Sequence, residues 1–571
     1  MALWQKFVFV VAGYWILERI SHRFPACQYL TKKEERQAKS TGRWLPGGWQ
    51  AFRQCLVTRF AISYWVIMAI LGLSIAPFFT YFEQFPVVMD VEDVVGMDWL
   101  MRITQQKIPS AQAKDIPQFV LLDIDDDTYK QWGEPLFTPR YRLQRLIDAA
   151  VQAQARLVIV DIDLSRPTPI DGLPSSCGKL QLHPYDQNLV NYFKEKYPYD
   201  CATHSNCPPI ILARTFSNGS HAALPPYQHP RLAFTELEQV VANSNAHIQW
   251  ASPLFHLSRD RVLRRWSFWQ PICTDQQPGV IASIGVMAGV LLDSDTPKQA
   301  SQTINNALVP FKPQNCVDSE EASTAPNLPS QIKIGRWTLN TNPYSVQQRI
   351  MYTMPWLIEH KKTGKMEPFD WLTDESGFPI VTRLSAQHFA EEHVSVETLA
   401  DYVKGGIVVI GGSYGEGRDY HQTPLGLMPG ALVLINAMHS LLQYETIQPV
   451  PKWLKWLIIA SLILVMSVIF LCVTSFWLGQ LFNLLIVFAF LPISIALFHY
   501  GGIWLDFATP LIFVQVYQIA VFSALLIYCL LLSFGHWLRR LLVRLYSFVN
   551  DMLSLFKQWL SKFLTQRKQH K

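Results

Sequence analysis

Charged residues are missing from a long stretch near the end of the sequence, since residues 456–505 contain no Asp, Glu, Lys or Arg. A membrane-spanning helix needs about 20 mostly apolar residues, and this stretch is longer than that. We therefore predict transmembrane helices at 457–477, 481–499 and 507–534, and a fourth at 56–79, which is apolar apart from Arg59. The chain is thus predicted to be an integral membrane protein.

Motifs of several enzyme and metal-site classes are also missing. No Cys-x-x-Cys pair occurs among the nine cysteines, so zinc-ribbon and thioredoxin-type chemistry have no support. There is no His-Glu-x-x-His zinc motif. A phosphoaspartyl hydrolase carries Asp-x-Asp-x-Thr after a strand, but Thr128 lies one position too late when counted from Asp123. We predict that the chain is not an enzyme, and keep an outward-facing metal-dependent hydrolase as an alternative.

Basic residues flank the predicted spans. The segment 1–55 has nine Lys and Arg against three Glu, and the tail 535–571 has eight against one Asp. Acidic residues follow the first span. Because basic flanks stay on the cytoplasmic side, both termini are predicted to be cytoplasmic and residues 80–453 to lie outside. The net charge of +5 therefore reflects topology, and no nucleic-acid partner is expected.

The tail shows a heptad-like apolar pattern. Its apolar residues follow a 4-3-4-3-4 spacing, at Leu541, Leu545, Phe548, Met552, Leu555 and Trp559. A basic amphipathic helix of this kind lies on the anionic surface of a lipid bilayer, or else docks onto a partner helix. Both alternatives remain open from the sequence.

The predicted outer segment has the pattern of an α/β domain. Short apolar runs at 119–122, 157–160, 210–212 and 407–410 end abruptly in polar residues, as strands buried on both faces do. The segment 140–154 has the apolar stripe of a helix packed on a sheet, and further helices are predicted at 279–292 and 431–444. The expected fold is a mostly parallel sheet with flanking helices, interrupted by long insertions at 167–209 and 301–330.

Polar residues follow the ends of these strands. Ligands of open α/β sheets bind at that edge, so we predict a ligand site there. Its candidate residues are Asp123, Asp125, Asp126, Asp161, Asp163, Gly411, Gly412, Ser413, Asp419 and Thr423. Oxygen ligands suit Ca²⁺ or Mg²⁺, with Asp123, Asp125 and Asp161 as candidates for holding the ion. The alternative is that Asp125 and Asp161 only cap helices or turns.

The glycine-rich run 411–417 resembles a phosphate-binding loop only superficially. It lacks the Lys-Ser/Thr of a P-loop and the spacing of a dinucleotide fingerprint, and Glu416 would repel an anion. A ligand loop and a structural turn remain as alternatives.

Five of the nine cysteines lie in the predicted outer segment, where disulfides persist. Cys201 with Cys207, or either of them with Cys177, is the predicted bridge, and Cys273 with Cys316 is a second candidate.

Three segments of the predicted outer domain carry a family resemblance: FVLLDIDDDTYKQWGEPLFTPRYRLQRLIDAA, ARLVIVDIDL and GGIVVIGGSYGEGRDYHQTPLGLMPGALVLINAMHSLL. Together they resemble the CHASE2 extracytoplasmic sensor domain of bacterial receptors. Their order and the arrangement of one span before and three after also match the family, over roughly residues 80–450. The resemblance implies ligand sensing, with no agreed ligand, in the bacterial inner membrane with a periplasmic or extracellular domain.

Family members usually continue into a kinase, cyclase or phosphatase domain, whereas only residues 535–571 follow the last predicted span. We therefore expect a receptor-like protein that binds a ligand or envelope partner and relays it to a separate output protein. The resemblance and the tail pattern both favour a homodimer. The alternative is a structural or scaffolding envelope protein.

Overall fold

The computed structural model of the protein describes residues 96–109, 115–169, 182–203, 207–216, 228–274, 277–313, 331–340, 347–360, 364–390, 396–445 and 541–559, with some shorter pieces. The chain divides into one compact unit of residues 94–449 and 495–505, and a second unit of the remaining residues. The predicted spans lie outside the described residues except at scattered positions. Within the part of the chain that is described, no helix is both long and apolar enough to cross a bilayer.

The first unit contains all of the strands found among the described residues. In chain order they are β1 Phe119–Ile124, β2 Leu157–Val160, β3 Ile210–Ala213, β4 Ile248–Ala251, β5 Phe255–Leu257, β6 Leu263–Ser267, β7 Trp269–Thr274, β8 Gln277–Ala282, β9 Gln331–Ile334, β10 Trp337–Asn340, β11 Gln347–Arg349, β12 Leu357–Glu359, β13 Met366–Pro368, β14 Trp371–Thr373, β15 Pro379–Ser385, β16 Ile407–Gly412, β17 Tyr420–Thr423, β18 Gly426–Pro429, β19 Gln448–Pro449 and β20 Ile503–Trp504.

The helices lie between these strands. They are α1 Asp98–Thr104, α2 Asp126–Gln131, α3 Arg140–Gln152, α4 Pro184–Asn191, a π-helix Tyr192–Lys196, α5 Tyr197–Thr203, α6 Thr235–Asn243, α7 Ile284–Asp293, α8 Pro297–Leu308, α9 Gln387–Ala390, α10 Val396–Val403 and α11 Gly430–Tyr444. In the second unit, residues 541–559 form α12, whose side chains are all exposed.

Seven strands form the central sheet, in the order β14-β15-β1-β16-β2-β3-β4. Every neighbouring pair is parallel except β14 with β15. The expectation of a mostly parallel sheet is therefore confirmed. The last strand of this sheet in chain order, β16, inserts between β1 and β2 and so brings the segment after it into the middle of the sheet's carboxyl edge.

Helices cover both faces of the sheet because alternate side chains of its central strands point to opposite sides. Val120, Leu122, Val158 and Val408 share one buried cluster with α3, α4, α6 and α10. The intervening residues of the same strands are also buried, and α7 and α11 pack on that side. Helices flanking a parallel sheet are thus confirmed, as three layers of α/β/α.

The helix α11 is buried along its entire length. Two of its polar residues bond to a neighbouring segment: Asn436 Oδ1 accepts hydrogen bonds from the backbone N–H groups of Thr353 and Met354, both at 3.1 Å. Ser440 Oγ accepts one from the Met351 N–H at 3.1 Å. These contacts fix the helix between the sheet and the segment 350–354.

The predicted helix 279–292 is wrong at its first four residues. Residues 277–282 form β8, which pairs with β7, and α7 begins only after Ser283, whose hydroxyl accepts a hydrogen bond from the Val286 N–H. An apolar run of this length fits either element, and pairing with β7 decides for the strand. The predicted insertion 167–209 is also partly regular, because α4, the π-helix and α5 lie within it.

Candidate functional site

The carboxyl ends of β1, β15 and β16 meet at one point of the sheet edge. Asp123 is in register with Gly411 on one side and with Ser385 on the other. The register follows from the parallel pairing, which aligns the ends of strands far apart in the sequence. The predicted juxtaposition of Asp123 with the 411–413 segment is present in the structure.

Asp123 is completely buried at this edge. Its Oδ2 accepts hydrogen bonds from the Ser413 hydroxyl at 2.7 Å and from Arg383 Nη1 at 3.2 Å. Its Oδ1 has no hydrogen-bond partner among the described residues. Burial raises the pKa of the carboxyl from 3.8 to about 6, although Ser413 and Arg383 both act to lower it.

Three of the other carboxylates have structural partners. Asp125 caps α2: its Oδ1 accepts hydrogen bonds from the Thr128 N–H at 2.8 Å and the Thr128 hydroxyl at 2.6 Å. Asp126 accepts one from the Gly415 N–H at 2.9 Å, which ties α2 to the segment after β16. Asp163 accepts one from the Ser165 N–H and so closes a turn. The local contacts of Asp125 and Asp163 are those expected of capping and turn residues.

Asp161 and Asp419 lie at the start of α11. Gly411 stands beside Asp161, and a Cβ added to it would lie 2.5 Å from that of Ala431 in the first turn of α11. Asp419 accepts a hydrogen bond from the Gly430 N–H through its backbone oxygen, and its carboxylate lies directly against Gly430. The first turn of a helix favours negative charge, so this is a stabilising position for carboxylates.

The environment of Asp161 differs from that of a cap. Burial and the nearby charge of Asp419 raise the pKa of Asp161 to about 7, while His421 acts to lower it. His421 Nε2 lies 3.1 Å from Asp419 Oδ1. The edge therefore holds a second cluster of ionisable side chains, which consists of the carboxylates of Asp161 and Asp419 and the imidazole of His421.

The segment 411–423 contains regular secondary structure over most of its length. Gly411 and Gly412 belong to β16, residues 415–417 form a 3₁₀ turn, and β17 and β18 form a hairpin. Thr423 is buried in the hairpin turn, where its hydroxyl donates to the Gly426 carbonyl at 2.7 Å. Tyr414 stacks on Tyr129 of α2, with ring centroids 4.4 Å apart. The whole segment is thus packed against α2 and the start of α11.

Residues 411–415 also match the Gly-x-Ser-x-Gly pattern of a nucleophile elbow. In that motif the serine occupies a strained turn and bonds to a histidine. Ser413 instead has an ordinary backbone φ, and its hydroxyl donates to Asp123. Only a three-residue 3₁₀ turn follows, so the geometry is not that of a serine hydrolase.

Two residues of the edge were not among the predicted ones. Arg383 comes from β15, and it also donates to the Phe369 carbonyl and lies over the Trp356 ring. His421 comes from the hairpin. An isolated Arg in an apolar run was the only sequence signal for Arg383, and it does not name its partner 260 positions away.

No group of three or more His, Cys, Asp or Glu side chains suited to a metal ion occurs within the described residues. The predicted Ca²⁺ or Mg²⁺ remains a prediction. In the same part of the chain, Cys201 is bonded to Cys207 and Cys273 to Cys316.

An α/β/α domain with buried acidic groups at the carboxyl edge of its sheet is an architecture of ligand-binding domains. The model of the CHASE2 domain matches residues 66–470, which is most of the chain. The protein belongs to the CHASE2 family, a family of extracytoplasmic sensory domains. No curated protein and no solved structure matches it.

Proposed function

We propose that the protein is a membrane receptor whose outer domain binds a ligand, or an envelope partner, at the carboxyl edge of the sheet. It relays binding through its spans to a separate output protein. The observation that carries the proposal is that Asp123 Oδ1 is buried and has no hydrogen-bond partner among the described residues. A buried carboxylate oxygen without a partner costs free energy, and such a group is kept where a ligand satisfies it.

The helix α11 connects the site to the chain that leads to the membrane, and this connection supports signal transfer. The first turn of α11 lies against Asp419 and Gly411, and its later residue His439 contacts Phe119 at the beginning of β1. A helix of 15 residues is about 22 Å long, so α11 runs from one edge of the sheet to the other. A displacement of the 411–423 segment thus reaches the chain that leads to the predicted span 457–477.

The pair of β19 with β20 supports the proposed topology. Gln448 precedes the predicted spans 457–477 and 481–499, and Ile503 follows them, yet the two residues are paired. Two crossings return the chain to the side from which it started. The pairing therefore agrees with residues 448–449 and 503–504 both lying outside, with both termini in the cytoplasm.

Hydrogen–deuterium exchange of the full-length protein in nanodiscs tests the ligand site. The probe is the low-molecular-weight fraction of an envelope extract. We expect slower exchange in 411–423 for the wild type, no change for Asp123→Asn, and a wild-type response for Asp163→Asn, whose carboxylate closes a turn and contacts Thr215 and Arg231. Equal exchange with and without the extract would contradict a sensor.

Native mass spectrometry of the protein from its own membranes tests the relay partner. A stoichiometric partner that is lost when residues 538–571 are deleted supports signalling through a separate output protein. A bare protein, alone or as a dimer, contradicts it.

A scaffolding role is the second candidate, because Asp125, Asp126 and Asp163 are all engaged in local structure. A scaffold requires no ligand-dependent change in the 411–423 segment. The same exchange experiment therefore separates the two functions.

A further inference from the structure

The helix α12 is exposed along its whole length, although most of its residues are apolar. All side chains from Leu541 to Trp559 are exposed, and twelve of these 19 residues are apolar or aromatic. The exposed fraction of the apolar side chains runs from 40% at Leu541 to 72% at Tyr546. A contiguous apolar surface of this kind marks a contact with a membrane or with another protein.

The apolar residues of α12 form one continuous face. An α-helix advances by about 100° per residue, so all of the apolar residues except Val543 fall within an arc of about 180°. We call this arc the apolar face. The opposite, polar face contains residues that repeat at a 3-4-3-4 spacing, namely Arg544, Ser547, Asp551, Ser554 and Gln558. The helix is therefore apolar on one half of its circumference and polar on the other.

A second helix would cover only part of the apolar face. In the heptad register of the predicted seam, the b positions are Tyr546 and Leu553, and the e positions Leu542, Val549 and Phe556 are apolar as well. A coiled coil buries its a and d positions, places charged residues at e and g, and leaves b in water. A partner helix would thus leave Tyr546 and Leu553 in water, whereas a flat apolar medium covers the whole face.

Charged side chains argue against a membrane crossing by α12 itself. Arg544, Asp551 and Lys557 are spread over its length and would lie in hydrocarbon, where charge is costly. A helix that is apolar on one half lies instead in the plane of the bilayer surface, with its apolar face about 5–10 Å into the boundary between headgroups and acyl chains. Tyr546 and Trp559 suit that boundary because each ring combines an apolar surface with a polar group.

The charge of the tail indicates which lipids the helix meets. The segment 535–571 holds eight Lys and Arg against the single acidic residue Asp551. Arg544 and Lys557 lie on the polar face, and the other six precede or follow α12 in the sequence. Anionic headgroups attract basic residues close to a bilayer surface, and each such residue strengthens binding by about fivefold. A bilayer that contains anionic lipids is therefore the complement of both the apolar face and the basic residues.

We propose that α12 lies on the surface of an anionic lipid bilayer, with its apolar face among the acyl chains and its polar face toward water. The inference rests on the proposed function in one respect, which is that the protein resides in a membrane. It goes beyond that function because it assigns the apolar face to lipid, which leaves only the polar face to a separate output protein.

Photocrosslinking of the full-length protein in its own membranes identifies what covers the apolar face. The photoreactive residue p-benzoylphenylalanine replaces Phe556, near the middle of the apolar face, or Ser554, the matched control on the polar face. Both side chains are exposed, so neither replacement disturbs packing. We expect phospholipid adducts at position 556 in mass spectra of the purified protein, and loss of these adducts at position 554. A crosslink from position 556 to a second copy or to another protein, no adduct there, or equal lipid adducts at both positions overturns the proposal.

Hydrogen–deuterium exchange of the full-length protein in nanodiscs tests the choice of headgroup. Exchange in 541–559 is compared between discs of phosphatidylglycerol mixed with phosphatidylcholine and discs of phosphatidylcholine alone. We expect slower exchange with phosphatidylglycerol, and Lys557→Gln should reduce the difference by about fivefold. Asn550→Gln, one heptad earlier on the same face, changes no charge and should leave the difference as it is. Equal exchange in both kinds of disc, or no effect of Lys557→Gln, overturns the anionic surface.

Membrane fractionation separates a failure of this inference from a failure of the proposed function. If the protein stays in the membrane pellet after an alkaline wash and position 556 yields no lipid adduct, only the assignment of α12 is wrong. Release of the protein by the wash contradicts the membrane receptor, whatever position 556 yields.

Discussion

The buried ion pairs of Asp98 should be the most sensitive point of the domain outside its apolar core. Asp98 begins α1, and its carboxylate accepts three hydrogen bonds from Arg264 and one from Arg349, at 2.7–3.1 Å. All three side chains are at most 6% exposed. The contacts join positions 166 and 251 residues apart. They therefore attach α1 to the sheet formed by β5, β6 and β11.

Replacing Asp98 with Asn leaves two guanidinium groups buried without the carboxylate that neutralises them. Breaking a buried pair in this way costs about 3–5 kcal/mol of unfolding free energy. Arg264 retains Asp260, so we expect the lower half of that range. With a urea slope of about 2–3 kcal/mol/M, the midpoint should fall by about 1–2 M.

Urea unfolding of the full-length protein in detergent, followed by tryptophan fluorescence, measures the effect. Trp266, Trp269 and Trp337 are fully buried and report on the domain. Asp260→Asn is the control, because Asp260 is 44% exposed and water replaces its bonds, so about 1 kcal/mol or less is expected. If Asp98→Asn destabilises the protein no more than Asp260→Asn, the argument from burial is refuted.

Three further outcomes follow from the structure. Asp161 should contribute a loss of stability as pH rises from about 4 to 7, because its pKa is about 7 in the folded state against 3.8 unfolded, and Asp161→Asn should remove this contribution from the thermal midpoints. His439 acts in the opposite sense, because burial lowers its pKa from 6.5 to about 4 and keeps the ring neutral. Its contribution to stability is therefore lost as pH falls from 6.5 to 4, and His439→Leu should remove this loss in the same thermal melts. Replacing Cys273 and Cys316 with Ser opens a loop of 43 residues and should cost about 4 kcal/mol in urea titrations, with no added effect of reductant at that pair.

Four strands of the central sheet, β1, β2, β3 and β16, and their parallel direction could be predicted because each is a short apolar run with a polar end. The helix α3 could be predicted because its apolar residues repeat at helical spacing. Both patterns are local and survive in any α/β context. The assignment of 279–282 to a helix failed because pairing with β7 is a contact that a single segment does not reveal.

The candidate site was predictable in outline only. Parallel strands bring their carboxyl ends to one edge, so Asp123 and Ser413 were expected to meet, and they do. The sequence did not distinguish Asp123, which lacks a partner at Oδ1, from Asp125, which caps α2. Both follow the same apolar run, and only the surrounding chain decides which one is satisfied.

The sequence by itself determined the α/β class, the parallel direction of the strands and the family, because these depend on local patterns and on motif order. The tertiary structure decided the order of strands in the sheet and the partners of Arg383, His421 and Asp98. These depend on contacts between residues as far as 260 positions apart in the sequence. The burial of those contacts decides which charges are neutralised and which polar groups remain without a partner.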